Sequence, residues 1–251
     1  MGRQARFFFS AAVFLAAYLF SAERAAAKPE PQKHTIAVAG ADRVYYLFVP
    51  EKIASPAPLV VLLHGSGRDG MSQIEAWKEL AEKEGIILVA PDSANSRQWS
   101  FTADGPEFLH NLVESVRASC PVDPKRMYLF GHSAGATFAL YMGTVESRYF
   151  AAVGVHAGAM KHEFHPIVER ASRKLPVSIW IGTKDPYFSL ELVRATRDAL
   201  NERGFQAEVH EMEGHDHDFY AVAKDLTPRI WDYLRKNALA APPEWQDSTT
   251  K

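Results

Sequence analysis

The sequence holds one cysteine, Cys120, among 251 residues, so no intrachain disulfide can form and stability has to come from packing, even in an oxidising compartment. Cys120 precedes Pro121 in a predicted helix-to-strand loop with no activating group nearby in sequence, which reads as a structural thiol rather than a nucleophile. An excess of charge of one sign is also missing. Twenty-eight Lys and Arg face 30 Asp and Glu, for a formal charge of −2, and the basic residues are scattered. That excludes a basic face for nucleic acid or for an anionic membrane. No internal repeat or low-complexity block interrupts the chain, and a single domain over residues 28–251 is expected from its length and ordinary composition.

Long apolar runs are scarce, and the longest stands at the start. Arg3 and Arg6 precede an apolar stretch over residues 7–20, and Ala25-Ala26-Ala27 follows. These are the charged, apolar and small-residue parts of a secretory signal. The 14 residues of that stretch fall short of the roughly 20 that a spanning helix needs. Residues 1–27 are therefore expected to be a signal peptide cleaved after Ala27, leaving a secreted or periplasmic chain without stable membrane insertion.

Beyond Pro29 and Pro31, strand-like and helix-like segments alternate, the pattern of a mostly parallel sheet covered on both faces: a three-layer α/β fold. Residues 43–49 read as an antiparallel leading strand. Residues 59–63, 86–89 and 127–130 are continuous apolar runs suited to buried parallel strands, and residues 152–155, 177–181 and 207–212 continue the series. Ile74, Trp77, Leu80 and Ala81 mark one helix face; Phe108, Leu109, Leu112, Val113 and Val116 mark another. Thr227 as N-cap with Pro228 at the first helical position predicts a final helix carrying Ile230, Trp231 and Leu234. Residues 158–175 are the only connection with room for a cap, and they are too few for a large lid.

The strand at 127–130 runs into Gly131-His132-Ser133-Ala134-Gly135 and then into a helical segment. A serine hydroxyl is a weak nucleophile unless it is exposed, positioned and given a base. A strand, sharp turn and helix with serine at the turn provides the exposure, and small residues at 131 and 135 let the elements approach closely. Ala134, first in the helix, offers a backbone N–H without an intrahelical partner for a developing oxyanion. A second donor is expected from the turn His64-Gly65-Ser66-Gly67 after the strand at 59–63, with Ser66 the first choice and Gly67 the second. Asp185, in the turn Gly182-Thr183-Lys184-Asp185-Pro186, is placed to orient a catalytic histidine. That histidine should follow the last strand, where His215 and His217 both qualify on chemistry alone.

The HGSG turn, the GHSAG elbow, the GTKD turn and the EGHDH segment resemble the phospholipase and carboxylesterase branch of the α/β hydrolases. The chain is similar also to feruloyl esterases, S-formylglutathione hydrolases and polyhydroxybutyrate-depolymerase-like esterases, over roughly residues 59–234. The resemblance implies the triad Ser133, Asp185, His217, because the catalytic histidine of the carboxylesterase relatives aligns with His217. It implies hydrolysis of carboxylic esters through an acyl-enzyme, without a cofactor; small or oligomeric esters are expected because no segment reads as a separate carbohydrate- or polymer-binding domain. It also implies that the loop carrying Trp99 reaches the pocket, where Trp99 would bind substrate; the other reading of Trp99 is a cover for the core edge. His132 reads as filler beside the nucleophile. The histidines and aspartates at 210–218, and the pair His162 and His165, have metal-ligand chemistry, but five polar groups on one loop cannot all point inward, and no metal is expected. Two other readings stand beside the esterase: a peptidase resembling prolyl oligopeptidases, and an inactive binding protein of the same fold.

Overall fold

The computed structural model describes residues 29–161 and 165–246. The expected signal peptide, residues 1–27, and His162 lie outside them. The eight strands among the described residues join one sheet: β1 (Gln32–Val38), β2 (Ala41–Phe48), β3 (Ala57–Leu63), β4 (Ile87–Pro91), β5 (Val122–His132), β6 (Ala152–His156), β7 (Pro176–Gly182) and β8 (Gln206–Met212). The order across the sheet is β1-β2-β4-β3-β5-β6-β7-β8. β2 runs antiparallel to β1 and β4, and every other pair is parallel.

The central strands are apolar along their whole length because helices cover both faces. Along β3, Leu59, Val61 and Leu63 join the core under α2 (Pro106–Ser119), α3 (Ala134–Val145) and α5 (Leu190–Asn201). Val60 and Leu62 point the other way, to α1 (Gly70–Glu84) and α6 (Phe219–Leu234). β5 repeats this, with Met127 and Leu129 on the first side and Tyr128 and Phe130 on the second. The period of two thus divides one hydrophobic run between two cores. The three-layer architecture expected from the alternation is what the structure shows. Between β6 and β7 the described residues hold one short helix, α4 (His165–Arg170).

Two elements differ from expectation. β1 is absent from the sequence reading; it pairs with β2 through a two-residue turn at Ala39 and Gly40, both in the left-handed region at φ 51° and 79°. The final helix begins at Phe219, two turns before Thr227, and Pro228 lies inside it. Asp218 supplies the N-cap, its carboxylate accepting the Tyr220 and Ala221 N–H groups at 3.0 and 3.3 Å, and the buried face of Phe219, Ala223, Leu226, Ile230 and Leu234 carries the helix through the proline. Packing outweighs the missing N–H. Pro228→Ala restores that donor and is expected to raise stability by about 2–2.5 kcal/mol, the proline penalty less its unfolded-state benefit. A urea titration would read this as a higher midpoint at unchanged slope, and a lower midpoint would contradict it.

Candidate active site

Three segments that leave the carboxyl ends of β5, β7 and β8 meet above the sheet, the edge at which open α/β sheets bind ligands. β5 ends at His132 and α3 starts at Ala134, so the direction change falls on Ser133, whose backbone sits at φ 56° and ψ −117°. This conformation is uncommon for a residue with a Cβ and has to be held by its surroundings. The Ser133 N–H donates to the His156 carbonyl at 3.0 Å. A Cβ on Gly131 would lie 2.2 Å from the Gly135 carbonyl oxygen, and one on Gly135 would lie 2.2 Å from that of Leu63. Only glycines let β5, α3 and β3 come this close.

The turn exposes the Ser133 hydroxyl 2.8 Å from His217 Nε2. On the other side of that ring, Nδ1 lies 2.7 Å from Asp185 Oδ2. The Asp185 side chain is fully buried, and its other oxygen accepts the Tyr187 and Phe188 N–H groups at 2.8 and 2.9 Å. Those two amides fix the carboxylate as an acceptor, so His217 carries its proton on Nδ1 and turns the Nε2 lone pair to Ser133. His215 points elsewhere, with its Nε2 3.1 Å from His156 Nε2. The choice that chemistry alone leaves open between His215 and His217 is one of direction, and in the structure it is His217 that faces Ser133.

The turn after β3 is held from beneath. His64 is buried and accepts the Ser93 N–H on Nε2 at 3.1 Å, so its proton is on Nδ1, which donates to the Gly65 carbonyl at 2.8 Å. Burial pushes the His64 imidazole below its ordinary range, in keeping with a neutral ring. Gly67 donates its N–H to Ser96, while Ser66 uses its hydroxyl on the Arg97 carbonyl at 2.7 Å. Among the described residues the Ser66 N–H has no protein partner, which favours Ser66 over Gly67 as the amide beside Ser133.

Trp99 requires a correction: it is buried and does not line the cleft. Its indole N–H donates to the His64 carbonyl at 2.8 Å, and its ring stacks on Phe138 with centroids 5.1 Å apart. Trp99 therefore props the His64 turn from the core side. The loop that carries it is organised by Asp104, whose buried carboxylate accepts Ala94 and Ser100 N–H groups and pairs with Arg43.

The cleft over Ser133 has a volume of about 380 Å³ and is bounded by Gly65, Ser66 and Arg68 on one side and by Tyr187 and Tyr220 on the others. Tyr187 is three-quarters exposed at its rim, and the Arg68 guanidinium rests on the Tyr220 ring. Among the described residues no group of three or more metal-ligating side chains converges. The polar run that suggested one is spent separately: Asp218 caps α6, Asp216 accepts the Asp218 N–H, and His210 stacks on Trp180.

Sequence reasoning misses His156. It ends β6 inside a buried run, with no motif around it, and contacts both His132 and His215. His132, read as filler, lines the cleft and is pushed down to about 3 by burial and by the neighbouring His217; His156 is pushed well down by burial and by His132. A histidine whose folded value lies below its unfolded one gives full stability above about pH 6.5 and loses it as pH falls toward the folded value, at up to about 1.4 kcal/mol per pH unit per proton. The melting temperature is therefore expected to fall between pH 7 and pH 4, and His132→Phe to flatten that slope. Parallel slopes for the variant and the parent would contradict this.

A family model, the dienelactone hydrolase family, matches residues 94–250. Among curated proteins, the bifunctional acetylxylan esterase/xylanase XynS20E of Neocallimastix patriciarum is 26% identical over 159 residues, covering 61% of this chain and 23% of that protein. Poly(3-hydroxyalkanoate) depolymerase C of Paucimonas lemoignei is 28% identical over 123 residues, covering 44% and 30%. The chain thus spans less than a third of the length of either relative. Among solved structures, the poly(3-hydroxybutyrate) depolymerase LpqC of Bordetella parapertussis superposes with a TM-score of 0.65 at 18% identity, covering 88% of this chain and 93% of that one.

Proposed function

Because the chain belongs to the dienelactone hydrolase family, and the matched segment contains Ser133, Asp185 and His217, we propose that it hydrolyses carboxylic esters through an acyl-enzyme on Ser133. The observation that carries this reading is the continuous bond path from Asp185 through His217 to the Ser133 hydroxyl, 2.7 and 2.8 Å long. His217 takes the serine proton as Ser133 Oγ attacks the ester carbonyl, and Asp185 stabilises the imidazolium that forms. The Ser66 and Ala134 N–H groups receive the oxyanion, Ala134 from the first turn of α3, where amides lack intrahelical partners. His217 then protonates the leaving alcohol and activates a water to release the acid and regenerate Ser133. The open cleft and the relatives named above support small or oligomeric esters as substrates, with no cofactor in any step.

The residues before the described chain support export. Arg3 and Arg6, the apolar stretch over residues 7–20 and Ala25-Ala26-Ala27 form a signal cleaved after Ala27, which leaves residues 28–251 as a secreted or periplasmic domain. No helix among the described residues is long and apolar enough to cross a membrane.

Hydrolysis of p-nitrophenyl acetate, butyrate and octanoate and of methyl ferulate tests the activity. Ser133→Ala and His217→Ala are expected to lower kcat by about 10⁴-fold or more and His215→Ala by less than about tenfold. No turnover of any ester by folded protein would shift the reading to a peptidase or a non-catalytic protein. Loss with His215→Ala equal to that with His217→Ala would overturn the assigned base.

A further inference from the structure

Behind the wall of the cleft, three imidazoles touch in series, two from the ends of β5 and β6 and one from the loop after β8. His132 Nδ1 lies 3.1 Å from His156 Nδ1, and His156 Nε2 lies 3.1 Å from His215 Nε2. His156 is fully buried, and the Phe219 ring packs 5.5 Å from both His132 and His156. Phe219 thus covers the inner part of the chain with an apolar surface.

Each nitrogen-to-nitrogen contact needs one proton and one lone pair. Three neutral imidazoles carry three protons, and the two contacts take two of them. The third proton must sit at an end, on His132 Nε2 or on His215 Nδ1, and the choice fixes the direction of every bond between. Burial pushes the His132 and His156 imidazoles below their ordinary range, in keeping with the neutral rings for which the protons are counted.

The surroundings of the two ends decide between these arrangements. His215 Nδ1 faces Asp216 Oδ1 at 4.0 Å, which favours a proton there. At the other end, the Cδ2 and Nε2 edge of His132 lies beside Gly65 on the cleft wall. The His217 ring is 5.0 Å from that of His132, and its charge during the reaction disfavours a proton on His132. Asp185 and Asp218 act in the opposite sense on His132. Asp185, however, is bound to His217 and two amides, and Asp218 caps α6. Both of those carboxylates are engaged with other groups; Asp216 also accepts the Asp218 N–H on Oδ1, but it is the carboxylate that stands at the His215 Nδ1 end of the chain, acting across 4.0 Å through its charge rather than through a hydrogen bond.

We propose that Asp216, acting through His215 and His156, holds His132 in the Nδ1–H form, so that His132 presents its Nε2 lone pair to the cleft as a hydrogen-bond acceptor for a donor group on the substrate. On the esterase reading, on which this rests, the favoured substrates carry a hydroxyl or N–H close to the scissile carbonyl. His132 is then a specificity-determining residue, and His156, His215 and Asp216 are positioning residues.

Nitrogen-15 NMR of histidine-labelled protein tests the chain without any turnover. The expected pattern is a proton on Nδ1 of His132, on Nε2 of His156 and on Nδ1 of His215, and Asp216→Asn should weaken or reverse it. The mirror pattern in the parent protein, with His132 carrying its proton on Nε2, would overturn the proposal. In Ser133→Ala, saturating 2-hydroxyethyl acetate should shift the His132 Nε2 resonance and isosteric propyl acetate should not; equal responses would overturn it as well. In the active protein, kcat/KM should favour 2-hydroxyethyl acetate over propyl acetate, or methyl 3-hydroxybutanoate over methyl butanoate, by about two- to tenfold, the worth of one neutral hydrogen bond. His132→Phe should abolish that preference, and a preference it leaves intact would contradict the assignment. A protein that hydrolysed no ester would fail the esterase reading, and the NMR arms would still decide the tautomer proposal.

Discussion

The close crossing of β5, α3 and β3 around Ser133 is the constraint on which the rest of the site depends. The elbow places a residue with a Cβ at φ 56°, a cost of order 1–3 kcal/mol that the packed core must sustain. It is sustained because Gly131 and Gly135 leave the carbonyls of Gly135 and Leu63 room that no side chain could share, and because the Ser133 N–H is tied to β6 through His156. The same crossing puts the end of β3 beside the start of α3. The turn at residues 64–67 and the first amides of α3 thereby converge on one hydroxyl. Strain at the nucleophile and convergence of donors have a single structural origin.

Around that fixed point the other groups are held in layers. Asp185 is a rigid acceptor because two backbone amides and full burial define it, and it in turn defines the proton of His217. The His64 turn is fixed by Ser93 on one side and Trp99 on the other, and both belong to the loop gathered by Arg43 and Asp104. Burying that ion pair adds little to net stability, but either charge left alone in the core would be costly. Its evident product is a defined loop under the candidate oxyanion site. Preorganisation of this kind leaves little for the site to rearrange as charge develops on a substrate.

What could be read from the sequence follows from where the information lies. The buried strands are legible because both faces of β3, β4 and β5 are apolar, and the elbow, HGSG and GTKD segments are legible because each is a local device of four or five consecutive residues. β1 is not, because at the edge of the sheet its exposed positions carry Gln32, Lys33 and Thr35, and its partner is specified by a two-residue turn. The start of α6 is misread because Thr227-Pro228 imitates a helix start, whereas the true cap at Asp218 lies within a segment also read for catalytic histidines. The substrate role given to Trp99 and the meaning of His132 depend on contacts between distant segments. Trp99 meets a carbonyl 35 residues away, and the histidine chain joins the ends of β5 and β6 to a loop beyond β8. No local spacing encodes such pairings.

The central claim is that Ser133 becomes covalently bonded to the carbon it attacks. The most direct measurement is intact-protein and peptide mass spectrometry after reaction with a fluorophosphonate probe and after rapid acid quenching with a slowly released ester. One added group per chain is expected, located on the peptide that contains Ser133 and missing in Ser133→Ala. Labelling that stays in that variant, or ester turnover with no covalent species on Ser133 at any quench time, would contradict it.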